Sequence, residues 1–189
     1  MSLRFIPNLL CILRMALVYP VAHGILQGHF PQVLALFALA ASSDALDGFL
    51  AKRFGWHTEL GKVLDPLADK LLLVTVFICL SFAGLAPWWL AGLVLLRDLV
   101  IFFGALTYKW LFGPLHGAPT AVSKFNTFWQ IVFCLATVAH AAFGVPGDAV
   151  VIATGAMVVV TTAVSGIDYM LIYSRRAAVT ARGRTAATV

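Results

Sequence analysis

Six long apolar runs, each interrupted by only a few polar or turn residues, set the pattern of this chain. They fall at about 6–26, 32–53, 60–83, 86–108, 121–143 and 149–173, each close to the ~20 apolar residues that a helix needs to cross a bilayer. The pattern predicts an all-α integral membrane protein with six transmembrane helices. Three connections, "HGILQGHF" from His23, "AGLAPWW" from Ala83 and "FGVPGD" from Phe143, carry turn residues, and Trp88 and Trp89 suit a membrane interface. None of the three contains Lys or Arg. Arg4, Lys52, Arg53, Lys109, Lys124, Arg175, Arg176, Arg182 and Arg184 all fall at the opposite ends of the runs. Cationic loops stay on the cytoplasmic side, so both termini are expected there.

Composition agrees with that reading. The chain is 61% hydrophobic and 11% charged, whereas soluble domains are about 45–50% apolar and about 25% charged. The net charge of +5 fits basic loops facing anionic headgroups. It does not point to nucleic acid, because no contiguous basic surface remains outside the membrane. Cys11, Cys79 and Cys134 are isolated within apolar runs, without the spacing of a zinc site or a disulfide framework, and are expected to be small packing residues. The opening "MSLRFIPNLLCILRMALVYPVA" is interrupted by Arg14 and offers no small-x-small cleavage site, so it is expected to be a retained first helix. Residues 1–176 read as one membrane domain, and the Ala/Arg/Thr-rich segment 177–189 as a flexible cytoplasmic tail.

One stretch breaks the apolar pattern. "DALDGFLAKRFGWHTELGKVLDPLADK" places Asp44 and Asp47 near the cytoplasmic end of the second run, and Asp65 and Asp69 near the start of the third. On a helix, spacings of three and four residues leave the members of each pair about 60° and about 40° apart, on one face. Antiparallel neighbours joined by a short loop would bring the two pairs together at similar depth.

Each carboxylate costs about 2.5–3.5 kcal/mol in hydrocarbon on insertion scales, and four together repel. Something positive must gather them. Hard oxygen donors suit Mg²⁺ or Mn²⁺, and two such ions can share the four acids. Lys52, Arg53, Lys62 and Lys70 are a second source of positive charge. Gly48 follows Asp47 directly and Gly61 lies four residues before Asp65, with Ala51 continuing the small-residue face. The absent side chains leave room for a bulky ligand or for the facing backbone.

The pattern Asp44-x-x-Asp47-Gly48-x-x-Ala51, then Gly61-x-x-x-Asp65-x-x-x-Asp69, closely resembles the signature of the CDP-alcohol phosphatidyltransferases. The resemblance extends to the opening "IPNLLCILR", the "LDPLADK" flank and the late "SGIDYMLIYSRR". One position departs from it: the family usually has Arg directly after the alanine, where this chain has Lys52 and then Arg53. Lysine keeps the charge but not a bidentate phosphate contact, which Arg53 would have to supply.

The resemblance implies a membrane enzyme that takes CDP-diacylglycerol as donor, with two divalent ions, Mg²⁺ or Mn²⁺, at the diphosphate. It implies that Asp44, Asp47 and Asp65 are metal ligands, with Asp69 also reaching the metal site and serving as general base on the acceptor hydroxyl. Gly48, Ala51 and Gly61 would line the nucleotide pocket, with Lys52, Arg53 and Asn8 on the CDP moiety and Arg14 near its diphosphate. Arg97, Lys124 and Arg175 are candidates for an acceptor phosphate. Arg97 and Asp98, adjacent in sequence, are expected to point to different helix faces rather than pair with each other.

The branch it resembles handles glycerol-type acceptors. "SKFNTFWQ" from Ser123 and the Arg97-Asp98 pair look more like enzymes that form cardiolipin from phosphatidylglycerol. Enzymes using glycerol 3-phosphate more often have Lys at position 126 and Glu at position 98. The lean is slightly toward phosphatidylglycerol. A homodimer and a bacterial-type inner membrane, with the site facing the cytoplasm, complete the expectation. The competing class is a cation- or proton-coupled transporter, with the aspartates as ion path. Its usual paired repeats are absent from this sequence.

Overall fold

The computed structural model describes residues 6–54, 61–112 and 120–186, with side chains over 12–43, 70–107, 110 and 120–172. Among the described residues the chain is all helical: α1 Ile6–Leu26, α2 Phe30–Phe54, α3 Gly61–Phe82, α4 Trp88–Phe112, α5 Ala121–Phe143 and α6 Asp148–Ala186. Each helix coincides with one apolar run. The last carries on to Ala186, into the segment expected to form the tail.

Three tight turns reverse the chain after α1, α3 and α5, and each contains a left-handed glycine: Gly28 (φ 75°), Gly84 (φ 73°) and Gly144 (φ 70°). That backbone region is costly for any residue with a Cβ. In the first two turns the amide beyond the glycine reaches back to close the helix, His29 N–H to the Gly24 carbonyl and Leu85 N–H to that of Leu80, both at 2.9 Å. Gly144 N–H donates to the His140 carbonyl at 2.8 Å. These bonds satisfy carbonyls that a helix end would leave open. α5 starts on Thr120, whose hydroxyl accepts the Ser123 N–H at 3.2 Å.

α1 packs against both α2 and α3, α5 against α2 and α6, and α4 against α3 and α6. The core runs through Val21 and Ile25 of α1, Val33 and Phe37 of α2, Val76, Phe77 and Leu80 of α3, Leu90 and Val94 of α4, and Phe133 and Val138 of α5. Cys79 and Cys134 are buried in it as free thiols, as expected of packing residues. Phe77 and Phe133 stack with ring centroids 5.7 Å apart. Close approach of α1 and α2 depends on Gly24: a Cβ there would stand 2.6 Å from Val33 Cγ2.

Large apolar side chains also cover the outside, among them Phe102, Trp110, Ile152 and Ile167. In water such a surface would associate; in lipid it is solvated. Three helices are long and apolar enough to cross a membrane, over Trp88–Thr107, Ala121–Phe143 and Asp148–Ile172. The described apolar portions of α1, α2 and α3 are shorter, Ile12–Leu26, Phe30–Ser43 and Lys70–Phe82. An apolar cleft of about 520 Å³ opens where α4, α5 and α6 meet, between Trp89, Phe133 and Val159.

Candidate active site

The signature residues divide between two helices. Asp44, Asp47, Gly48, Ala51, Lys52 and Arg53 belong to the C-terminal half of α2, and Gly61, Asp65 and Asp69 to the N-terminal half of α3. At 1.5 Å per residue, Asp47 lies about 10 Å from the end of α2 and Asp69 about 12 Å from the start of α3. The chain connects these two helix ends through residues 55–60. The side chains of all these positions lie outside the described residues, as do those of Asn8 on α1 and Arg175 on α6. Among the described residues no cluster of three or more His, Cys, Asp or Glu exists.

On α3 the described side chains begin at Lys70, the residue after Asp69, and there they join a charged network. Asp98 Oδ1 on α4 accepts from Lys70 Nζ on α3 and from Arg97 Nη1, the latter at 2.7 Å. The expectation that Arg97 and Asp98 would not pair is therefore corrected. Their Cα–Cβ directions do diverge by about 100°, but the four-bond arginine stem lets the guanidinium swing back onto its neighbour. Lys70, counted with the cations near the aspartate cluster, is paired with Asp98 of α4.

Arg97 is only 6% exposed, and its partners come from three helices. Nη2 donates to Ser123 Oγ on α5 at 2.7 Å and to Ser165 Oγ on α6. The guanidinium carbon lies 5.8 Å from the centroid of the Tyr169 ring, within cation–π range. Nε has no hydrogen-bond partner among the described residues. Of the three residues expected at an acceptor phosphate, Arg97 is thus largely occupied within the protein. Lys124, next to Ser123 at the start of α5, is exposed.

One turn deeper along α5 lies a second polar layer. Asn126 is fully buried, and its Oδ1 lies 2.9 Å from the hydroxyls of Thr161 and Thr162 on α6. Gln130, one turn further, is buried too. Arg14 is buried on α1 and lines a cavity of about 30 Å³ with Thr127 and Leu72, enough for a single water. Sequence reasoning missed Ser165, Thr161 and Tyr169, although the signal was present. Thr161, Ser165 and Tyr169 recur every four residues along an apolar helix, so one stripe of α6 is polar. Polar stripes in membrane helices face neighbouring helices.

Beside the helix segments that carry the signature acids, the described structure thus holds Lys70, Arg97 and Asp98 in one polar network. The comparisons with known proteins identify the family. The CDP-alcohol phosphatidyltransferase family model matches residues 4–167. The chain is 32% identical over 180 residues to a cardiolipin synthase (CMP-forming) of Rattus norvegicus, covering 87% of this chain and 60% of the relative. It is likewise 32% identical over 193 residues to CDP-diacylglycerol–glycerol-3-phosphate 3-phosphatidyltransferase 1, chloroplastic, of Oryza sativa subsp. japonica, covering 90% and 59%. A probable phosphatidylglycerophosphate synthase of Mycobacterium tuberculosis (strain CDC 1551 / Oshkosh) is 33% identical over 144 residues, covering 72% and 63%. The chain spans about three fifths of the length of these curated relatives. With a family model matched along most of its length, the chain belongs to the CDP-alcohol phosphatidyltransferase family.

Proposed function

We propose that the protein transfers the phosphatidyl group of CDP-diacylglycerol to the hydroxyl of a glycerol-type acceptor and releases CMP. The observation that carries this reading is the complete aspartate–glycine signature, split between α2 and α3, in a chain that belongs to the family. All six helices cross the membrane in this reading. Both termini and the aspartate end face the cytoplasm of a bacterial-type inner membrane, because every Lys- or Arg-bearing loop falls on that side.

Asp44, Asp47, Asp65 and Asp69 would hold two divalent ions, since four hard oxygen donors suit Mg²⁺ or Mn²⁺. Bound there, such ions neutralise diphosphate charge and ease departure of CMP. Gly48, Ala51 and Gly61 would leave room for the nucleotide, and Lys52, Arg53 and Asn8 would bind the CDP moiety. Asp69 accepts the proton of the acceptor hydroxyl as that oxygen attacks the lipid-bearing phosphorus. The bond from that phosphorus to the CMP oxygen breaks, and no covalent enzyme intermediate forms. Lys124 and Arg175, with Arg97, supply positive charge toward the acceptor's phosphate.

Phosphatidylglycerol is favoured slightly over glycerol 3-phosphate as acceptor. Asn126 supports this, because a buried amide at that position adds no further cation for a dianionic monoester. The relatives include proteins named for each product, so glycerol 3-phosphate stands as the second reading. Family membership favours group transfer over a cation- or proton-coupled transporter. Reconstitution in liposomes with CDP-diacylglycerol, Mg²⁺ or Mn²⁺ and a panel of acceptors, followed by lipid mass spectrometry, tests all of this. Cardiolipin and CMP are the expected products. Product with glycerol 3-phosphate alone would reverse the choice of acceptor, and ion flux without CMP would remove the enzymatic reading.

A further inference from the structure

Lys70 is the residue directly after Asp69, and its ammonium donates to Asp98 on α4. The anchor is rigid. Asp98 is mostly buried, and the oxygen that receives Lys70 also receives Arg97 Nη1 at 2.7 Å. Arg97 in turn is fixed by Ser123 of α5 and Ser165 of α6, beneath the Tyr169 ring. Its stem packs at Gly166, where a Cβ would lie 3.9 Å from Arg97 Cγ. A chain of polar contacts therefore runs from three helices to a single point on α3.

The site of that attachment matters. Successive residues on a helix are 100° apart, so a tether that limits how far Lys70 can turn limits Asp69 and Asp65 by the same angle. With side chains reaching ~5–6 Å from the axis, a rotation of α3 by ~10° moves a carboxylate by about 1 Å. A misplacement of ~1 Å at a reacting group can cost about 100-fold in rate. From this geometry we infer that Asp98 is a positioning residue: through Lys70 it sets the rotation of the α3 segment that carries Asp65 and Asp69. The inference rests on the proposed role of those two aspartates in phosphatidyl transfer. Neither Asp98 nor Lys70 touches the reacting atoms; both act through the direction in which α3 presents its acids.

The test uses the full chain in liposomes and three substitutions. Lys70→Gln removes the tether at a half-exposed position, where the folding risk is small. Its kcat should fall 10–100-fold, with KM for CDP-diacylglycerol within about threefold of the parent. Lys70→Arg, whose guanidinium still reaches Asp98, should recover most of the loss. Asp98→Asn should lower kcat as Lys70→Gln does, and the double variant should be no slower than the slower single one.

Amide hydrogen exchange over residues 61–70 supplies a readout independent of turnover, and it should be faster in Lys70→Gln. Parent-like kcat in Lys70→Gln would overturn the inference. So would single-variant losses that multiply in the double variant, or a kcat loss without any change in exchange. If the parent releases no CMP with any acceptor, the proposed function falls, and the exchange comparison still decides whether the tether holds α3.

Discussion

The side-chain oxygen of Asn126 lies 2.9 Å from both the Thr161 and the Thr162 hydroxyl, so one α5 residue meets two successive residues of α6. Interhelical hydrogen bonds in membranes average about 0.6 kcal/mol each. Asn126→Ala removes both and leaves a small void, so it should destabilise the bundle by about 1–2 kcal/mol. Thr161 retains its 2.7 Å bond to the Met157 carbonyl, which limits the loss. Unfolding in mixed detergent micelles measures it; a loss under 0.3 kcal/mol would show that the pairing is incidental.

Gly24 and Val33 make a sharper steric prediction. With 2.6 Å between a new Cβ and Val33 Cγ2, Gly24→Ala must push α1 from α2 or force Val33 off its rotamer. Overpacking of this kind costs about 1–3 kcal/mol. Adding Val33→Ala should relieve most of the clash, and the double variant should be more stable than Gly24→Ala alone. Thermal unfolding of the four proteins decides it.

Asp69→Asn keeps size and hydrogen bonding but cannot take a proton. Loss of a general base lowers turnover by about 10²–10⁴, while binding of CDP-diacylglycerol should persist within a few-fold. Equilibrium binding of a fluorescent CDP-lipid beside turnover separates the two effects. A fully active Asn variant would exclude Asp69 as the base.

Chelation offers the least invasive check on the acidic cluster. Dialysis against EDTA should abolish CMP release, and Mg²⁺ or Mn²⁺ should restore it. Ca²⁺, with longer bonds and looser geometry, should restore far less. Activity that survives exhaustive chelation would contradict the metal assignment.

Much of the architecture was legible in the sequence, because apolar runs near membrane length and glycine-bearing turns both leave local signatures. Gly28, Gly84 and Gly144 close turns that the quoted connections already marked. The continuation of α6 to Ala186 was not legible. Ala and Arg are strong helix formers, but an apolar pattern registers only the buried or lipid-facing part of a helix. The pairing of Arg97 with Asp98 was hidden for another reason. Helical spacing fixes where Cβ points and leaves the far end of a long side chain free to turn. The link from Lys70 to Asp98 joins positions 28 residues apart, a relationship set by how α3 lies on α4 and by no local rule. The acids themselves stood out at once, since charge inside an apolar run is costly enough to demand a purpose.

The three glycine turns have a consequence for how the protein tolerates change. Connections 27–29, 83–87 and 144–147 are short and closed by backbone bonds, so that end of the molecule has almost no slack for inserted sequence. The chain joins α2 to α3 through residues 55–60 and α4 to α5 through residues 113–119. An insertion at Gly28, Gly84 or Gly144 would break the backbone bonds that end α1, α3 and α5.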